Sequence, residues 1–248
     1  MTLHVRSAIT NKMPQSGRMR YAGVVLLAVI LLVLLIGSAR LDRITFGQMD
    51  WEFWRGSVQS PTIIIYIVIV SPIINGYWNR AVNTLLPLIK ENKLKEKLIT
   101  DLTKNDRWRE SSAALVAIGA IVAISHDWEG WPDGWFEWYR LVTQFTMIGL
   151  LGWLVYTGLR GVRNLTRLTR SIQDLDIFNL ELLSPVARWS LGVSLAFIGG
   201  ITISLIFVPY DSLLNAISIS VYSVLIFTTI LIFFSSMLST HNAILRVK

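Results

Sequence analysis

The chain has no cysteine among its 248 residues, which excludes disulfides, thiolate metal sites and a cysteine nucleophile. Its three histidines, His4, His126 and His241, are too scattered to form a ligand set, so no metal site is assigned. No HExxH, GxGxxG, GK[ST] or GxSxG string occurs, and the common metalloprotease, nucleotide and hydrolase signatures go with them. His126 beside Asp127 is a lone imidazole–carboxylate neighbour pair with no nucleophile or third group. Charge is also scarce, at 16% of residues, and the long apolar runs carry charged groups only at their ends. A buried ionisable group is the usual mark of a proton relay or a charge-coupled transporter, and none is offered here. These shortages point away from an enzyme: no catalytic residue and no cofactor is assigned.

What the chain has instead is apolar length. With 53% hydrophobic residues it is a membrane protein by composition. A bilayer core of about 30 Å takes ~20 apolar helical residues, and six stretches approach that length. They are residues 21–39, 61–79, 110–126, 140–160, 190–208 and 213–236. The third is the shortest and needs its flanks or a thin bilayer. The expected fold is therefore an all-α bundle of six transmembrane helices, forming one transmembrane domain over residues 1–248.

The formal net charge of +7 is unevenly placed. If the N-terminus is cytoplasmic, the inner segments hold 19 of the 23 Lys and Arg, and the outer loops hold Arg40, Arg43, Arg55 and Arg140. The positive-inside rule then sets both termini in the cytoplasm. This accounts for the basic balance without nucleic acid, and makes anionic lipid at the cytoplasmic face an expected contact. The plasma or inner membrane is the expected location. The basic, acid-free tail of residues 1–20 also fits a mitochondrial targeting segment, which would place the chain in the mitochondrial inner membrane.

One pentapeptide pattern occurs twice, as DWEFW at residues 50–54 and DWEGW at residues 127–131. On this topology both lie on the outer face, with six of the ten tryptophans. Asp50, Trp51, Glu52, Trp54, Asp127, Trp128, Glu129 and Trp131 are candidates for gathering a cation or a partner. The alternative is an interfacial belt, with indoles at headgroup level and carboxylates in water. Further echoes follow: RAVNTL at residues 80–85 matches RGVRNL at 160–165, and Arg107-Trp108 matches Arg188-Trp189. Together they suggest a parallel repeat of an inward helix, a cytoplasmic segment and an outward helix.

The cytoplasmic segments, residues 80–109 and 161–189, are expected to prolong spans two and four as helical extensions. Leu165, Leu168, Ile172 and Leu175 make one apolar stripe, with Arg163, Arg167 and Arg170 pointing elsewhere. Such a segment either docks a partner, packs on its counterpart, or spaces two spans in solvent. Within the membrane, Gly192, Ala196 and Gly200 form a small-residue ridge, as do Ala113 and Ala117, and these are candidate close-packing positions. Asn75 and Gln144 are the polar exceptions, because an amide in hydrocarbon needs a partner across a helix interface or in a wet cavity. Three functions fit: an accessory subunit or docking platform of a membrane complex, a homo-oligomeric channel with an acidic outer mouth, or a sensor that lacks its own output domain. Each calls for a protein partner or self-association.

Overall fold

The computed structural model describes residues 17–89, 95–96, 99–100, 107–124, 132–171, 184–208 and 216–245. These residues are all-helical apart from short connections, with no strand among them. The helices are α1 (Gly17–Leu41), α2 (Trp51–Leu85), α3 (Arg107–Ile124), α4 (Trp135–Ser171), α5 (Ser184–Phe207) and α6 (Ala216–Leu245). Five of them, all but α3, are long and apolar enough to cross a membrane. The chain is thus an α-helical membrane protein with several apolar helices. In α3, Arg107, Arg109 and Glu110 crowd the first turn and leave 14 uncharged residues, a rise of only ~21 Å.

The helix ends follow from local chemistry. Asp50 N-caps α2, its carboxylate accepting from the Phe53 backbone N–H at 2.8 Å. α5 opens on Ser184-Pro185, where proline loses no intrahelical bond. α1 closes in a Schellman turn, with Ile44 N–H donating to the Ala39 carbonyl and Arg43 N–H to the Arg40 carbonyl, both at 3.0 Å. The left-handed position of that turn is filled by Arg43, at φ 60°, where glycine is the usual occupant. α2 stays helical through Pro61 and Pro72 for 35 residues.

Four helices, α2, α5, α6 and α4, close a ring, each packed on the next. α3 lies against α4 from outside, and α1 rests on both α2 and α4. The most extensive contacts are α2 with α5 and α3 with α4, so each long helix takes the short helix that follows the other one. The main core gathers at the end of the ring away from Asp50. It includes Ala81, Leu85, Ile89, Leu165, Leu168, Val186 and Trp189, all almost fully buried. Half of the stripe on the extension of α4 therefore faces the chain's own core: Leu165 and Leu168 are buried, while Arg163 and Arg167 are exposed. The expected stripe residues Ile172 and Leu175 lie outside the described residues.

A smaller core sits at the Asp50 end. Leu35, Ala39, Met49, Phe136 and Tyr139 are buried there, with Phe53 and Trp54 packed against them. Along α1, burial is confined to Leu35 and Ala39, while Val25, Leu26, Val29 and Ile30 are exposed. The first apolar run is therefore attached to the bundle by one half only.

Candidate functional site

The first pentapeptide divides its residues between two tasks. Asp50 is spent on the α2 cap, Trp51 is 74% exposed and Glu52 is exposed. Phe53 stacks on Phe136 at 4.9 Å and meets Trp54 edge-on, tying α2 to α4. Asp127, Trp128, Glu129 and Trp131 lie outside the described residues.

A neighbouring carboxylate that the sequence reading passed over does more at this end. Asp42, just past α1, accepts from the backbone N–H of Trp135 at 3.0 Å and of Phe136 at 2.8 Å. It thus caps α4 from another element, where free N–H groups and the helix dipole both favour an anion. Gly134 leaves room for it, since a Cβ there would overlap the Asp42 carboxylate. Glu137 completes the turn by accepting from the Asp133 N–H at 3.0 Å. Only spacing gives a sequence signal for Asp42: it is the one acid in the first outer loop before Asp50.

A polar chain runs from this end into the bundle between α2, α5 and α6. Arg55 donates to the Val208 carbonyl at 2.6 Å, where the last carbonyls of α5 lack helical partners. One turn on, Gln59 donates to Ser204 Oγ at 3.1 Å, and Ser204 shares a 2.7 Å hydrogen bond with the Tyr222 hydroxyl. Deeper still, Tyr66 donates to the Ala196 carbonyl at 3.0 Å. These contacts tie α5 to both of its neighbours.

The small residues mark where helices meet within one chain. On α5, Gly192 faces the Tyr77 ring, and Gly199 and Gly200 face Tyr66, while Ala196 is buried. On α3, Ala113 and Ala117 lie against Gly152, and Ala114 lies near Gly149. Gly161 on α4 gives its space to the Trp189 indole, which also meets Trp78 at 5.5 Å.

Where α3 meets α4, Arg160 and Glu110 pair at 2.9 Å, each side chain partly exposed. Beside the pair a crevice of about 860 Å³ opens between α2, α3 and α4, lined mostly by apolar groups. Asn75 and Gln144 are both exposed on the bundle surface, and no described residue hydrogen-bonds their amides. Among the described residues, no group of three or more His, Asp or Glu side chains gathers closely enough to hold a metal ion.

Comparison with protein-family models, with curated proteins and with solved structures finds no match.

Proposed function

We propose that this is a non-enzymatic polytopic membrane protein that acts by assembly, as an accessory subunit or docking platform of a larger membrane complex. The observation that carries this reading is Gln144. Its carboxamide sits one turn inside the apolar stretch of α4, is exposed, and has no partner among the described residues. An amide facing hydrocarbon is stabilised by roughly 1–2 kcal/mol when another helix supplies a hydrogen bond.

Several of the other polar side chains support the same reading by being occupied. Asp42, Asp50 and Glu137 cap helices, Arg55 closes α5, and Gln59, Ser204 and Tyr222 satisfy one another. Thr143, Thr146, Thr202 and Thr229 each donate to the carbonyl four residues back. Hydroxyls bonded to their own helix line a water-filled pore poorly, which ranks the channel below the subunit.

Within this reading α3 is the sixth membrane helix, running opposite to α4 with Leu115, Val116 and Val122 turned outward. Both termini are cytoplasmic, and the host membrane is a plasma or inner membrane whose anionic lipids meet the basic segments. The exchange of short helices between α2 and α4 favours a parallel duplication, each unit being a long helix and the short one that follows.

Native mass spectrometry of the tagged protein, extracted mildly from its own membrane, tests the proposal. Additional stoichiometric chains, lost on Gln144→Leu, are expected. A lone 28.1 kDa species that is unchanged by the substitution would overturn it.

A further inference from the structure

The crevice between α2, α3 and α4 has a wall and a mouth of different chemistry. Ile67, Val68, Ile118, Phe145, Leu150 and Trp153 make the wall apolar. The two hydroxyls on it are already used, Ser71 donating to the Ile67 carbonyl at 2.6 Å and Thr146 to the Val142 carbonyl at 2.7 Å. To an occupant the wall is hydrocarbon. At one end stands Glu110, paired with Arg160, with Ser111 beside it. Asn75 is four residues beyond Ser71 and seven beyond Val68 on α2, so helical periodicity puts it on the crevice face toward that same end.

Size and setting narrow the occupant. A volume of about 860 Å³ falls within the ~300–1,000 Å³ of ligand sites. On α4 the lining runs from Val142 to Trp153, eleven helical steps and ~16 Å of rise, about half of a ~30 Å bilayer core and the reach of one leaflet's acyl chain. α2 and α4, which supply two of the crevice walls, are both candidate membrane spans, the setting in which an open apolar crevice meets lipid tails. The mouth presents an anion and a cation together. A head group that carries both a phosphate and an ammonium can meet Arg160 and Glu110 at once, whereas a purely anionic one faces the Glu110 carboxylate.

We propose that this crevice seats one acyl chain of a zwitterionic amino-phospholipid, with its phosphoethanolamine head at the Glu110–Arg160 pair and Asn75. The site is independent of the partner reading, which rests on Gln144 outside the crevice lining.

The test is native mass spectrometry of purified protein titrated with dioleoyl phosphatidylethanolamine and, separately, with dioleoyl phosphatidylglycerol. One phosphatidylethanolamine per chain should be held about tenfold more tightly than phosphatidylglycerol. Thr146→Phe and Val68→Trp fill the crevice from exposed positions and should each abolish that retention with unchanged helix content, while Glu110→Gln should remove the head-group preference and keep the lipid. Equal retention of both lipids by the unsubstituted chain, or undiminished retention in both filled variants, would overturn the proposal.

Discussion

Asp42 is the residue whose removal the structure prices most directly. Its two oxygens each accept one backbone N–H at the start of α4, at 3.0 and 2.8 Å. Loss of a cap costs ~0.5–2 kcal/mol, and a hydrogen bond to a charged group is worth ~1.5–3 kcal/mol where it is well shielded. Asp42 is only half-buried, so the lower part of both ranges applies. Asp42→Ala should therefore destabilise the folded chain by about 1.5 kcal/mol, or ~3–6 °C in Tm for a chain of this size. Asp42→Asn keeps one acceptor and should lose about half as much.

A double-substitution cycle makes this specific. A Cβ on Gly134 would overlap the Asp42 carboxylate, so Gly134→Ala should be destabilising in the native chain. In the Asp42→Ala background that overlap is gone, and the same change should cost little, because alanine loses less backbone entropy than glycine. The readout is thermal unfolding in mild detergent, followed by near-ultraviolet circular dichroism of the tryptophans. Additive effects of the two substitutions would refute the placement of Asp42 over the start of α4.

Other substitutions probe other joints. Arg43→Gly should raise stability by up to about 1 kcal/mol by removing a left-handed non-glycine residue, as a higher Tm in detergent. Gly161→Ala should lower Tm by driving a methyl group into the Trp189 indole, with partial rescue by Trp189→Phe in the same melt. Leu168→Ala, at a fully buried position, should cost ~2–5 kcal/mol in denaturant titration, whereas Leu159→Ala on the exposed surface should cost a fraction of that.

Apolar run length made the helices legible in the sequence, because a membrane segment needs little else. The small residues were legible as contact points, but their partners were not: Gly192 seats Tyr77 and Gly152 seats Ala117, pairings across 115 and 35 positions that no local period encodes. In the sequence the charges carry a topology signal, a rule that counts cations by loop and ignores what each charged group touches. Arg55, Arg160, Asp42 and Glu110 were missed for that reason. Each is tied to a carbonyl, a charge or an N–H group on a distant helix.

The two tryptophan-rich pentapeptides show how far sequence likeness and structural equivalence can part. Asp50 immediately precedes α2 and caps it; Asp127 stands eight positions before Trp135, so it cannot be the residue flanking α4, and Asp42 takes the capping role instead. The pentapeptides are offset by 77 positions, while the helices they precede start 84 apart. Likewise Trp108 is 84% exposed and its sequence counterpart Trp189 is 2% exposed. The likeness of the two stretches therefore does not extend to the burial of single residues. Trp189 is drawn into the core because Gly161 leaves room for its indole, while Trp108 stays at the surface. Trp108, left exposed on α3 two positions before Glu110, stands at the end of the bundle where the crevice has its polar mouth.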